Sequence, residues 1–174
     1  MVANRGVTDT EGHGTSVSGV AAAGRNGQEI LGVAFDATIL SFNSSSPSDC
    51  DPEDGCSHFD SDIARGVDLA RTNGAKVINI SLGGSTPTST LLGAIDRATR
   101  SGIVVVMSAG NDGAADPDPL ALVSAQRSGN GAFIIAGAHD GNRQIADFSN
   151  KAGTGAAFYL TALGDRVRSF DHTG

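Results

Sequence analysis

Residues 103–107, IVVVM, constrain this chain more than any other stretch. The run is unbroken and dominated by β-branched side chains. A strand with one wet face would alternate apolar and polar residues, so this one reads as buried on both faces. Cover on both faces is what a parallel sheet between helices supplies. The flanking sequence agrees. Residues 90–100 have helical spacing and stop at Gly102, and residues 76–82, KVINISL, read as a second strand. Strand, helix, strand in that order implies parallel strands joined by crossover helices.

The same alternation runs through the rest of the chain. A helix is expected over residues 15–23, with Gly24 as its stop, and short buried strands over 30–34 and 38–42. Residues 43–58 form a polar loop. A helix follows over about 61–73, with Ile63, Val67 and Ala70 on one face and Gly74 as its C-cap. Further strands are expected over 132–136 and near 157–161. The expected class is α/β: a three-layer α/β/α domain on a mainly parallel sheet, incomplete at both ends for reasons given below. The length of 174 residues suits one such domain.

In open parallel sheets ligands bind beyond the carboxyl ends of the strands. Two such ends stand out, Ser81-Leu82-Gly83-Gly84 and Ser108-Ala109-Gly110-Asn111. Both place small residues where a ligand or another backbone comes close. The first lacks the G-x-G-x-x-G pattern and the lysine of phosphate-gripping loops. Asn111 has two readings: a turn residue before Asp112-Gly113, or a fixed N–H donor at a strand end, as an oxyanion hole needs. His13, in Gly12-His13-Gly14-Thr15 before a helix of small residues, is either a surface histidine or a base held at a helix start. His58, His139 and His172 stand in polar surroundings and read as solvated.

The formal net charge is -7, which argues against a nucleic-acid partner. No apolar run approaches a membrane span. Met1 is followed by neither the basic nor the apolar segment of a secretory leader, and the adopted expectation is that an N-terminal part has been lost. Cys50 and Cys56 lie in a Ser/Asp/Pro-rich loop. A small-loop disulfide is the leading reading, two free thiols or a metal the alternatives. The acidic residues Asp49, Asp51, Glu53 and Asp54 are either a solvated face or a Ca2+ site.

Taken in order, GHGT with its small-residue helix, LGVA, INISLGG, VVVMSAGNDG and IIAGAHD…ADFSN resemble the subtilisin-like serine proteases, the subtilases. The resemblance runs from about Asp9 to Gly174. It implies that His13 is the general base of a Ser-His-Asp triad and Asn111 the oxyanion donor. It implies that Ser81, Leu82 and Gly83 pair with the substrate backbone and line the P1 pocket, with Ala109 and Gly110 as the facing wall. These residues carry no charge and little bulk, so the expected pocket is open and apolar. Residues 24–30 have the length of the family's calcium loop, with Asn26 at a side-chain ligand position. The substrate is then a peptide or protein, no catalytic cofactor is needed, and the protein is secreted or on the cell surface. The Cys50–Cys56 insert resembles the cysteine loops of autotransporter-type subtilases.

Two features of the family pattern are not found. Its aspartate lies in a D-[ST]-G setting well before the histidine, whereas Asp9 stands in a loop close to His13. Its serine follows G-T-S-x-A, of which Gly174 matches the first residue. The 174 residues by themselves are therefore expected to be inactive and less stable than a complete domain. The alternatives are a relative that binds peptide without cutting it and an unrelated α/β ligand-binding module.

Overall fold

A computed structural model describes residues 9, 11–27, 30–45, 50–51 and 55–170. The chain divides into two compact units, Asp60–Arg166 and the remainder.

The larger unit holds the parallel sheet. Its strands are β3 (Val77–Ile80), β4 (Val104–Ser108), β5 (Phe133–His139) and β6 (Tyr159–Leu163), hydrogen-bonded in the order β3-β4-β5-β6. All three pairings are parallel, with Ile80 opposite Met107 and Ser108 opposite Ala136. Helix α3 (Ser89–Arg100) crosses from β3 to β4, and α4 (Pro119–Ser128) from β4 to β5. A 3-10 segment, Gly153–Phe158, leads into β6. The three-layer α/β/α class with a mainly parallel sheet is thus the class of this chain.

The sequence accounts for most of these elements. In α3 the buried side chains Leu91, Leu92, Ala94, Ile95, Ala98 and Thr99 recur at helical spacing. The helix stops at Gly102, whose φ of 79° is the left-handed conformation a C-terminal turn favours. Helix α2 (Asp60–Thr72) ends in the same way at Gly74, φ 78°, where the Ala75 N–H donates to the Ala70 carbonyl at 3.0 Å. Leu91, Ile95, Val105, Met107 and Ile135 are fully buried and form the centre of the core.

Two expectations need correction here. Strand β4 is not equally buried on both faces: Val105 and Met107 are sealed, while Val104, Val106 and Ser108 are half-buried. The helix side of the sheet is tightly packed and the other side is only partly covered. Helix α4 was not expected at all. Its buried face is made of Leu120, Ala121, Ser124, Ala125 and Ser128, mostly small residues that leave a faint apolar stripe. Pro119 in its first turn has the right φ and lacks an N–H that would go unused.

The smaller unit contains α1 (His13–Ala22) and a two-strand hairpin, β1 (Cys50–Asp51) with β2 (Gly55–Cys56). Gly32, Val33 and Ala34 lie against the end of α1, donating to the carbonyls of Ala23, Val20 and Ala21 at 2.8–3.0 Å. A Cβ on Gly32 would run into the Ala22–Ala23 backbone, so this close approach requires glycine. The strands expected over 30–34 and 38–42 do not form. Among the described residues these segments have no strand to pair with, and Leu31, Val33, Ile39 and Leu40 are exposed rather than buried. Apolar β-branched sequence makes a strand only where a ladder partner exists.

Candidate active site at two strand ends

The sequence singled out two strand ends, and the fold brings them together. Because β3 and β4 pair up to Ile80 and Met107, Ser81–Gly83 and the end of β4 through Gly110 run side by side at the carboxyl edge of the sheet. Ser81 and Leu82 are half-buried, Gly83 and Asn111 are exposed, and Ala109 and Gly110 are buried. The Asn111 side-chain amide makes no hydrogen bond among the described residues.

Two residues without an expected role hold this arrangement. Asn150 is 1% exposed and reaches the Asn111 segment from both sides. Its Oδ1 accepts from the N–H groups of Asp112 (3.0 Å) and Ala114 (2.9 Å). Its Nδ2 donates to the Ala109 carbonyl at 3.1 Å and to Asp118 Oδ1 at 2.8 Å. The Asn150 N–H donates to the Gly110 carbonyl at 3.0 Å. Its own carbonyl accepts from Tyr159 Oη at 2.6 Å and from Ser149 Oγ at 3.2 Å. Donor and acceptor capacity is nearly exhausted, as a buried amide requires.

Asp118 is the second. It stands at the N-cap of α4 but its carboxylate makes no cap bond to that helix. It turns to the strand ends instead: Oδ2 accepts from the Gly84 N–H at 3.2 Å, and the Asp118 N–H donates to the Ala109 carbonyl at 2.8 Å. A Cβ on Gly83 would lie 2.5 Å from Asp118 Oδ2, and a Cβ on Gly110 (φ 101°) would strike the Asp118 carboxylate and the Asn150 amide. Both glycines are therefore fixed by what fills the space between them. The wall residues carry no charge, but this carboxylate touches both walls. A visible signal existed for Asp118, since Asp followed by Pro marks a helix start. Asn150 lay inside ADFSN with nothing local to reveal its reach.

His13 belongs to the smaller unit, as do Asn26, Cys50 and Cys56. It is exposed in the first turn of α1, directly after Gly12, whose φ is 86°. Asp9 fixes that turn. Its Oδ1 accepts from the N–H groups of Gly12 (2.8 Å) and Glu11 (3.2 Å), and its Oδ2 from the N–H of Thr15 (2.7 Å). Partial burial would raise the Asp9 pKa, but hydrogen bonds from Thr15, Gly12 and Glu11 together bring it down to about 2. On the far side of the helix, Ser169 Oγ donates to the Ser16 carbonyl, and a Cβ on Gly19 would lie 2.7 Å from the Phe170 ring.

Cys50 and Cys56 form a disulfide across the β1–β2 hairpin, and the Cys56 N–H donates to Glu11 Oε1 at 3.1 Å. Asn26 is exposed in a loop with Gly24, Arg25, Gly27, Ile30 and Leu31, around a cavity of about 150 Å3. The Arg25 guanidinium sits 4.2 Å from the centre of the Phe35 ring. An amide oxygen and backbone carbonyls are the hard oxygen donors Ca2+ takes. No group of three or more His, Cys, Asp or Glu placed to hold a metal occurs among the described residues. His58 and His139 are half-buried rather than solvated, with Nδ1 2.7 Å from Ser44 Oγ and from the Asp140 carbonyl respectively. His172, Asp49, Glu53 and Asp54 lie outside the described residues.

Comparison with known proteins gives the geometry its context. Residues 2–166 match the subtilase family model. Subtilisin DY from Bacillus licheniformis is 36% identical over 162 residues, which cover 93% of this chain and 54% of that protein. An alkaline protease from Alkalihalobacillus alcalophilus is 35% identical over 162 residues, 92% of this chain and 38% of its own length. The chain thus spans about half, or less, of the proteins it matches. Among solved structures, a mutant of the protease domain of PatA superposes with a TM-score of 0.78 at 24% identity, covering 99% of this chain and 59% of that one. The PatG macrocyclase in complex with peptide gives 0.70 at 19% identity over 90% of this chain and 43% of its own. With the family model spanning nearly its whole length, the chain belongs to the subtilase family.

Proposed function

We propose that this chain is the histidine- and oxyanion-bearing part of a secreted serine endopeptidase acting on peptides or proteins. The observation that carries the reading is the adjacency of SLGG and SAGN at the carboxyl ends of paired strands β3 and β4. The 36% identity to subtilisin DY supports it, as does the protease description of the other relatives. No helix among the described residues is long and apolar enough to cross a membrane.

The chemistry assigns each residue a task. An extended substrate lies along Ser81–Gly83, held by main-chain hydrogen bonds that align the scissile carbonyl. Neutral His13 takes the proton of a serine hydroxyl supplied by the family's G-T-S-x-A segment, and the serine oxygen adds to the carbonyl carbon. The carbonyl oxygen becomes an oxyanion and accepts from the Asn111 amide. The protonated imidazole then gives its proton to the departing amine, leaving an acyl-serine. Water repeats the sequence, releasing the acid and restoring the serine. We include a structural Ca2+ that Asn26 and carbonyls of residues 24–27 and 30 would hold, residues 28 and 29 lying outside those described; bound there, it would stabilise by mass action. A melting temperature unmoved by millimolar Ca2+ overturns that part.

The test is a fluorophosphonate probe applied to the intact protein that carries this chain. One serine should be labelled, and His13→Ala should abolish the labelling. In subtilisin, loss of the corresponding oxyanion donor lowers kcat by roughly 10²–10³, and the same is expected for Asn111→Ala. The 174 residues alone should not label. A folded, intact protein that binds peptide but never labels or cuts would make this a non-catalytic relative.

A further inference from the structure

We infer that Asp118 is the specificity-determining residue of the P1 pocket and that the preferred P1 side chain is basic. The inference rests on the protease reading above and adds the substrate class to it. The wall residues supply only apolar and small groups: Leu82 and Gly83 on one side, Ala109 and Gly110 on the other. Asp118 puts its carboxylate against both glycines, with Oδ2 toward Gly83 and Oδ1 toward Gly110. Any side chain entering between these walls meets that group.

The carboxylate is held, yet its charge is not answered. Its two hydrogen-bond partners, the Gly84 N–H and the Asn150 amide, are neutral donors that fix its direction. Two ionised oxygens offer about four acceptor sites, so roughly two remain open. Asp118 forms no ion pair among the described residues, while Asp62, Asp68, Asp96 and Asp165 each have an arginine. It is also only half-buried, so its open sites are within reach of a ligand. A lysine or arginine matches this geometry well. Its methylenes lie along Leu82 while the charged head reaches the carboxylate. A large apolar P1 residue would instead strip water from this charge without answering it.

The experiment compares hydrolysis of peptides that differ only at P1, carrying Lys, Arg, Leu or Phe, by the intact protease and its Asp118→Asn variant. The quantity read is the ratio of kcat/KM for P1 Lys to that for P1 Leu within one preparation, which is insensitive to how much of the variant folds. The wild type should favour Lys and Arg, and Asp118→Asn should lower the ratio roughly 10- to 100-fold. The wild-type ratio should also fall with rising salt as the attraction is screened. A wild type that prefers Leu or Phe, or a ratio unchanged in Asp118→Asn, overturns the inference while leaving the protease intact. Absence of both cleavage and probe labelling removes the protease reading and this inference with it.

Discussion

The carboxyl ends of β3 and β4 and the start of α1 are held in opposite ways. Around Asn111 the bonds come from far along the chain: Asn150 reaches Ala114 across a separation of 36 residues and Ala109 across 41. Asn150 is sealed from water. In the turn before His13 the bonds come from Asp9 and span two to six residues, and they are at most partly buried. The first device exists only when the sheet, α4 and the 139–150 segment are all assembled. The second exists whenever one helical turn forms. Asn111 should therefore be lost only with cooperative unfolding of the larger unit, whereas the turn before His13 should open with local fraying of α1.

The largest expected effect comes from breaking the long-range device. Asn150→Ala leaves the Asp112 and Ala114 N–H groups without their acceptor and removes a donor from both Ala109 and Asp118. Two N–H groups left without their acceptor, together with the lost bonds to Ala109 and Asp118 in a partly buried network, should cost about 3 kcal/mol, read from the denaturant midpoint. A loss under about 1 kcal/mol would show that water substitutes for the amide and that burial gives the network no advantage.

Local constraint in the smaller unit should cost less to remove. Replacing Cys50 and Cys56 by serine frees a short loop, for which chain-entropy arguments give about 2 kcal/mol. Thermal melting with and without reductant should reproduce the difference in the unsubstituted chain. Next comes Asp9→Ala, which removes the acceptor for three N–H groups at the α1 start and should cost about 1 kcal/mol. The Asp9 pKa is about 2 folded against 3.8 for an ordinary aspartate. Its contribution is therefore full above about pH 4 and is lost as pH falls toward 2. The stability gap between wild type and Asp9→Ala should close over that window, and a gap independent of pH would show that Asp9 acts by packing.

This contrast also explains what the sequence disclosed. The start of α1, the glycine stops at Gly74 and Gly102 and the strand runs of the larger unit are local patterns, and each appears within a few residues of where it was expected. Asn111, Gly83 and Gly110 were noticeable as residue types at strand ends, because small residues and a short amide sit there for local reasons. Asn150 was not, and the Asp-Pro pair marks Asp118 only as a helix start, since the reach of both residues depends on contacts made only after the chain has crossed the sheet. The absent strands over 30–34 and 38–42 fail for the same reason, inverted: local propensity was present and, among the described residues, the long-range partner was not. Helix α4 escaped notice because Ala and Ser bury well against a neighbour without marking a hydrophobic stripe.

Sequence separation and burial are confounded in this comparison, and Arg97 separates them. Its guanidinium donates to both oxygens of Asp68, Nε to Oδ1 at 3.0 Å and Nη2 to Oδ2 at 2.6 Å, across 29 residues. The pair joins α3 to α2, so it is as long-range as the Asn150 network, and its geometry is bidentate. The hydrogen bonds from Arg97, then its charge, pull the Asp68 pKa below the usual aspartate value. Yet the Arg97 side chain is 51% exposed and that of Asp68 34%, so water and salt answer both charges once the pair is broken. Arg97→Ala should therefore cost only about 0.5 kcal/mol, the smallest effect in the series, and less still in high salt. The check is a double-mutant cycle with Asp68→Ala, measured by chemical denaturation at low and high ionic strength. If the coupling energy instead matched the Asn150→Ala loss and ignored salt, chain separation rather than burial would govern what a polar contact is worth here.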